Sequence, residues 1–476
     1  MIVMYNALSQ RLVQTIPSPR QIAHQSTEFY AFIHFTVNTF TDREWGDGSE
    51  SPEVFAPDQL DAMQWASEIR NAGMRGIILT CKHHDGFCLW PSRYTHHTVA
   101  SSPFRSGKGD VVREVSDACH ALGLKFGIYL SPWDRNSQLY GQGKPYDDYF
   151  VHQLEELLTG YGDIFSVWLD GACGEGSNGK KQYYDWERYY ETVRRLQPDA
   201  CICVCGPDVR WCGNEAGDTR EQEWSVVPRR MMDTEKIASL SQHIDDPSFH
   251  LRHLSARDQD LGSREVLQNE PDLIWYPAEV NTSIRPGWFW HEKENSQVRS
   301  LAELQHIYLH SVGGNATFLL NIPPDRRGLL HEADVSVLRD FGHWLKEAFG
   351  QNVLLTQTSH VTASSSAQGH TPEQALIPDA STFWLATEEQ ASFHVTWEQT
   401  MPVRYIMLME HIMLSQRAEH FQVFLDTPSG TVQVADAATI GYKRILSVNG
   451  IPASGMTVQF LASRVAPTLQ SVAVFI

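Results

Sequence analysis

The chain has 476 residues, 42% hydrophobic and 20% charged, ordinary for a globular protein but too long for one compact core. Its formal net charge of −19 at pH 7 argues against nucleic acid as a partner, because a polyanion needs a basic footprint. No stretch approaches the ~20 apolar residues of a membrane span, so no membrane partner is expected.

The opening residues, Met1-Ile2-Val3-Met4-Tyr5-Asn6, lack the basic-then-apolar pattern of a secretory leader. A cytoplasmic location is expected for the chain as it stands, or a periplasmic or secreted one if a leader has been removed. From there to about residue 350, apolar β-like runs alternate with helical patterns, the signature of parallel βα units. Phe29 to Phe35 is the first run, and Asp58 to Met74 then carries helical periodicity. Gly76 to Cys81 is the second strand, followed by a helix over Asp110 to Leu122. Lys125 to Leu130 is the third, followed by a helix over Asp147 to Leu158. Ile164 to Leu169 is the fourth, Tyr183 to Leu196 the next helix, and Cys201 to Cys205 the fifth strand. Cys201, Cys203 and Cys205 alternate along it, which predicts buried reduced thiols on one face rather than a zinc site.

Beyond the fifth strand the pattern weakens. Leu273 to Tyr276 and Ala316 to Ile322 are the clearest later strands, around a helix near Leu301 to Ser311. Leu338 to Phe349 closes the region as an amphipathic helix. Roughly six to eight such units predict an α/β fold, a (β/α)8-like barrel that is irregular in its second half. The alternative, a doubly wound open sheet, would want a G-x-G-x-x-G after the first strand, and none is present. Residues 1–350 are therefore expected to form a barrel. From 351 the period changes to two: Phe393, Val395 and Trp397 alternate with polar neighbours, as do Val432 with Val434 and Val458 with Phe460. Residues 351–476 thus predict a β-sandwich of ~120 residues.

Polar residues gather at the C-terminal ends of the predicted strands, where parallel barrels place their chemistry. His34 ends the first strand, and Lys82-His83-His84-Asp85-Gly86 follows the second. Tyr129 lies in the third, with Ser131-Pro132-Trp133-Asp134 after it. The fourth ends abruptly at Asp170, followed by Gly171. Such an acid is either a cap for the next element or a catalytic carboxylate, and spacing alone serves both. The His83/His84 pair has three readings: one metal ligand, a structural pair, or neutral imidazoles that hydrogen-bond ligand hydroxyls. A metal site would want further ligands at helical spacing, and no H-E-x-x-H exists. The chain also lacks a G-x-S-x-G elbow, and no Cys is flanked by an obvious base. Two carboxylates remain the best catalytic candidates. A polar, Trp-containing loop after the fifth strand offers Glu215, Glu221 and Glu223, and spacing does not choose among them.

These segments resemble the α-L-fucosidases of glycoside hydrolase family 29, and in particular the subgroup that prefers α-1,3/4-linked fucose on branched, Lewis-type glycans. The resemblance is carried by Phe32-Ile33-His34-Phe35, the run Asn38 to Gly46, Lys82-His83-His84-Asp85-Gly86-Phe87 and Val167-Trp168-Leu169-Asp170-Gly171. Gly213-Asn214-Glu215-Ala216-Gly217 and the run Asn321 to Gly328 complete it. It implies a retaining hydrolase of terminal α-L-fucose that acts on fucosylated oligosaccharides or glycoconjugates and needs no metal or cofactor. Asp170 falls on the nucleophile position and Glu215 on the subgroup's acid/base position. His34, Glu44, Trp45, His83, His84, Tyr129 and Trp288 fall on or near positions that hold the fucose ring. Trp290 stands where relatives often show Tyr. The C-terminal segments Ser365 to Ala375, Phe383-Trp384-Leu385 and Gly441-Tyr442-Lys443-Arg444 resemble a discoidin-like module of the coagulation factor 5/8 type, expected to buttress the barrel or bind carbohydrate. The competing functions are a broad-specificity fucosidase, another barrel glycosidase or a transfucosidase on the same carboxylates, a metal-dependent hydrolase, and a carbohydrate-binding protein with an inactive barrel.

Overall fold

Eight parallel strands form the centre of the protein, in a computed structural model that describes residues 7–241, 260–377 and 379–476. The first five are Phe29–Ile33, Gly76–Lys82, Lys125–Leu130, Ile164–Leu169 and Cys201–Val204. The last three are Arg210–Trp211, Ala278–Ser283 and Ala316–Asn321. Neighbours in sequence are neighbours in the sheet, and the eighth strand returns to pair with the first from Phe29↔Phe318 to Phe32↔Asn321. The cylinder is nearly closed; its thin seam, between the fifth and sixth strands, is the single bridge Cys203↔Val209. The barrel expected from the repeating pattern is therefore present.

Its irregularity has a definite place. The fifth strand runs into the sixth through residues 205–209, with no helix between them. Val204 takes a left-handed φ of 67°, which reverses the side-chain alternation. Cys201 and Cys203 consequently join the inner cluster, while Cys205 packs with the outer one, so the three thiols do not share a face as expected. The seventh strand, Ala278-Glu-Val-Asn-Thr-Ser283, escaped the hydrophobic pattern because its inward positions are polar, yet every residue of it is buried. The apolar run at Leu273 is instead a short strand, Leu273–Trp275, that pairs antiparallel with Val226–Pro228 outside the barrel.

Helix starts follow their caps. Asp61, Asp110, Asp185 and Ser300 each accept from the backbone N–H three residues on, so the helix expected over Asp58 to Met74 begins at Ala62. The last barrel helix, Glu332–Phe349, begins six residues before Leu338, because His331 caps it and Glu332 and Asp334 suit its first turn.

Strand alternation divides the apolar residues into two sets. Phe29, Ala31, Ile33, Ile77, Leu79, Val280, Phe318 and Leu320 face outward and pack with the helices. Tyr30, Phe32, Ile78, Tyr129, Trp168, Cys203 and Leu319 fill the barrel. The inward positions continue to His34, Asp170 and Asn321 at the C-terminal ends, so the functional candidates form the top layer of that packed interior.

The strands from Ser359–Ala363 to Ser471–Phe475 pair antiparallel, as the period-two pattern predicts. Two strands, Ala391–Met409 and Arg444–Ser463, are 19 and 20 residues long and shift register twice in their shared ladder, between Thr396/Met401 and Val403/Tyr405. Such irregularities bend a long strand, and the halves of Ala391–Met409 take different outer partners, Ser359–Ala363 and Ser471–Phe475. Phe393, Val395, Ile406, Leu408, Val458 and Val474 from both halves share one core, which makes the arrangement a β-sandwich. It is tied to the barrel at Glu28, just before the first strand: Lys443 Nζ and Tyr442 Oη donate to Glu28 Oε1 at 2.5 and 3.0 Å. Asn315, just before the eighth strand, accepts from Tyr442 N at 2.7 Å. These ties lie at the N-terminal ends of the strands, opposite Asp170. Among the described residues no helix is long and apolar enough to cross a membrane.

Candidate active site

Asp170 follows the fourth strand directly, and its two oxygens do different things. Oδ1 accepts from the backbone N–H of Ala172 at 2.8 Å, a local turn that fixes the side chain. Oδ2 accepts from Tyr129 Oη at 2.8 Å and lies 3.7 Å from His84 Nε2. Asp170 is thus a turn former on one side and faces the mouth with the other. Burial pushes its pKa up to about 6; the charge of Glu215 adds to this, while the bonds from Ala172 and Tyr129 oppose it.

Three histidines cluster with Tyr129 beside that carboxylate, and the partners of two of them, His34 and His84, fix their tautomers. Asn321 Nδ2 donates to Ser283 Oγ and to the carbonyl of Trp288, so its Oδ1, 2.8 Å from His34 Nδ1, accepts. Ser131 Oγ donates to the Trp133 carbonyl and therefore accepts from His84 Nδ1 at 2.7 Å. Both rings are left with an unprotonated Nε2, which is an acceptor. Burial keeps them neutral, depressing His34 to about 4 and His84 to about 3, and holding His83 well below its ordinary value. The His83 ring lies 4.1 Å from that of His84 and stacks 5.8 Å from Tyr129.

The histidine loop is held from below. Lys82 Nζ, fully buried, donates to Asp134 Oδ2 at 3.0 Å and Gln153 Oε1 at 2.9 Å. Gly86 follows with φ +79° against this pair, where a Cβ would stand 2.5 Å from Asp134 Oδ1. Aromatic rings wall the mouth. Trp45 meets His84 and Trp133 edge-on at 5.5 and 5.4 Å, and Trp288 tilts over His34 at 5.1 Å. Phe289 lies 5.0 Å from His83.

Of the three glutamates after the sixth strand, the surroundings separate one. Glu223 is fully buried between Arg210 and Arg220, at 2.5 and 3.1 Å; burial opposes its ionisation, but the two guanidinium groups hold it below the ordinary value. That is a structural ion pair. Glu221 is exposed, and its carbonyl accepts from Arg444. Glu215 is partly buried, accepts from Trp288 Nε1 at 3.0 Å through Oε2, and is close enough to Asp170 to perturb it. Its loop is pinned by Thr282 Oγ1 on the Glu215 carbonyl at 2.7 Å and by Asn214 Oδ1, which accepts from Ala216 N and Asp218 N.

Glu44, expected among the ring-binding residues, is occupied within the protein. Oε2 accepts from Trp288 N at 2.8 Å and Oε1 from Phe289 N at 3.1 Å, so it clamps the loop that carries Trp288. Residues absent from the expected set are Asn321 and Ser131, which fix the tautomers of His34 and His84. Asn321 was findable, because it ends the eighth strand as Asp170 ends the fourth. Among the described residues, one trio of adjacent metal-type donors, His24, Cys203 and Glu279, is buried inside the barrel. Its Glu279 is already taken by the Tyr30 hydroxyl and the Trp168 indole.

The mouth therefore offers two carboxylates, hydroxyl acceptors and aromatic walls, a set suited to a neutral sugar. Residues 18–349 match the family described as Alpha-L-fucosidase. The chain is 37% identical over 439 residues to Alpha-L-fucosidase 1 of Arabidopsis thaliana, spanning 90% of this chain and 81% of that protein. A solved structure from Bacteroides ovatus superposes with a TM-score of 0.84 at 41% identity, over 100% of this chain and 77% of that one. A Ruminococcus gnavus glycoside hydrolase family 29 fucosidase, solved in complex with fucose, superposes with a TM-score of 0.83 at 27% identity, over 97% and 95% of the two chains. With its whole barrel inside the family match and relatives that extend across the sandwich, the chain belongs to the alpha-L-fucosidase family, glycoside hydrolase family 29.

Proposed function

We propose that this α-L-fucosidase cleaves terminal α-L-fucose with retention, Asp170 acting as nucleophile and Glu215 as acid/base. The reading is supported by Asp170 and Glu215 lying close enough for the charge of Glu215 to act on Asp170, with neutral His84 presenting Nε2 3.7 Å from Asp170 Oδ2 and His34 packed against Trp288, whose indole donates to Glu215. Asp170 Oδ2 attacks the anomeric carbon as the bond to the glycosidic oxygen breaks, and Glu215 gives that oxygen its proton. Water then attacks the fucosyl-enzyme, Glu215 takes the water's proton, and Asp170 leaves as carboxylate. Such a mechanism needs the carboxyl groups roughly 5–5.5 Å apart.

His34, His83 and His84 accept from ring hydroxyls, while Trp45 and Trp288 cover apolar faces of the sugar. Tyr129 orients the nucleophile through its bond to Asp170. Glu44 acts on the sugar chiefly through the Trp288 loop it clamps. The G-N-E-A-G setting of Glu215 supports α-1,3/4-linked fucose on branched glycans as the substrate. For residues 351–476 we favour a discoidin-like buttress, which the ties at Glu28 and Asn315 support.

A panel of an aryl α-L-fucoside, an α-1,2-fucosylated lactose and branched Lewis-type glycans tests the linkage. Cleavage of the branched glycans with little action on the α-1,2 linkage is expected. Strong α-1,2 activity would overturn the preference, and fucosyl transfer outpacing hydrolysis would make the enzyme a transfucosidase.

A further inference from the structure

One buried histidine outside the mouth joins two carboxylates and has no part in the chemistry above. His291 Nδ1 lies 2.7 Å from Asp42 Oδ1, and its Nε2 lies 2.7 Å from Glu44 Oε1. Ionised carboxylates only accept, so a ring bonded to one at each nitrogen carries both protons and is an imidazolium. Its setting favours that charge: burial opposes it, but Glu44, Asp42 and Glu294 raise the pKa to about 9. Lys293 and Arg326, the cations nearby, act on Asp42, and Arg285 acts on Glu294.

Glu44 is the next link. It is desolvated, yet His291 and the N–H groups of Trp288 and Phe289 hold it ionised, below its ordinary pKa. The carboxylate that accepts from His291 thereby seats the backbone of Trp288, and the Trp288 indole donates to Glu215. Five groups form one line: Asp42, His291, Glu44, Trp288 and Glu215.

We propose that His291 is a positioning residue that, as an imidazolium, locks Glu44 under the Trp288 loop and so aims Glu215 at the departing oxygen. The proposal rests on Glu215 being the acid/base. It assigns His291 no contact with substrate. Removing the imidazolium loosens the loop and blunts proton delivery, and leaves Asp170 to attack as before. The loss should then depend on how much the leaving group needs a proton.

The test compares two aryl α-L-fucosides, one with a dinitrophenolate leaving group and one with an unactivated phenol, in His291→Gln and Asp42→Asn. Glu215→Ala is run beside them, and folding is checked by thermal melting. For His291→Gln, kcat on the unactivated phenol should fall at least about tenfold more than on the dinitrophenyl substrate, with KM changed less than kcat. Asp42→Asn alters a half-exposed side chain remote from Glu215 and should show the same selectivity more weakly, which keeps the test open if His291→Gln folds poorly. An equal loss on both substrates in the two variants would reduce His291 to a structural role and overturn the proposal. If Glu215→Ala is itself insensitive to leaving group, the acid/base assignment falls and the proposal falls with it. If Glu215→Ala is sensitive and the other two are not, the positioning role alone fails.

Discussion

The indole N–H of Trp288 donates to Glu215 Oε2 at 3.0 Å, across 73 residues of sequence. The same residue is held by Glu44 through its backbone, so the carboxylate proposed as acid/base takes its orientation from a loop built on the seventh strand. Trp288 is therefore both a wall of the mouth and the support of Glu215, and its two roles separate by substitution. Trp288→Phe keeps the apolar wall and removes the donor. Its kcat should drop about tenfold with KM little changed, whereas Trp288→Ala should also raise KM. Steady-state kinetics on an aryl fucoside distinguishes the two.

Glu215→Ala should lose activity chiefly on substrates with poor leaving groups and regain turnover in azide, with a fucosyl azide as product. Azide enters where the carboxylate served as base and needs no proton removed. Loss to the same degree on all substrates, without an azide product, would make Glu215 structural.

The pH dependence follows from Asp170. With its pKa raised to about 6, kcat/KM should fall as pH drops through 6, because the proposed nucleophile becomes protonated. His34 and His84 already titrate near 4 and 3 and add nothing to that limb.

The same shift has a stability consequence of determined sign. A carboxyl whose folded pKa lies above its unfolded value of 3.8 binds more protons when folded, so its contribution to stability falls as pH rises from about 4 to 6. At pH 7 the buried charge is a cost. Asp170→Asn should therefore raise thermal stability at pH 7 by ~1–3 kcal/mol, and the gain should vanish below pH 4. Melting of both proteins across pH 4–8 checks this.

At the far end of the barrel, Lys443→Met should cost about 2–3 kcal/mol, since it leaves buried Glu28 with only Tyr442 and a longer contact to Arg75, at 3.7 Å. KM should stay unchanged, because Glu28 lies at the opposite end from Asp170. A raised KM would mean that the sandwich shapes the site.

The barrel was legible where its strands are apolar on both faces, as in Gly76–Lys82 and Ile164–Leu169, because burial by helices outside and core inside leaves a continuous hydrophobic run. It was illegible at Ala278–Ser283, where Glu279, Asn281 and Ser283 point inward and hydrogen bonds replace apolar contact. It misled at Cys205, where the left-handed turn at Val204 breaks an alternation that composition alone suggests. Asp170 and the histidines could be located from strand ends, since the barrel collects those positions whatever their chemistry. The choice of Glu215 over Glu223 could not be made by spacing, because it depends on Arg210 and Arg220 claiming Glu223 in three dimensions. His291 stayed hidden for the same reason, with partners nearly 250 residues away in sequence.

As the proposed nucleophile, Asp170 is expected to form a covalent bond to fucose. Incubation with a 2-deoxy-2-fluoro-fucosyl fluoride, followed by peptide mass spectrometry, tests it most directly, because the fluorine slows both steps and the good leaving group lets the intermediate accumulate. A single fluorofucosyl adduct is expected on the peptide containing Val167-Trp168-Leu169-Asp170, absent from Asp170→Asn. An adduct on another carboxylate, or full turnover by Asp170→Asn on an aryl fucoside, would contradict it.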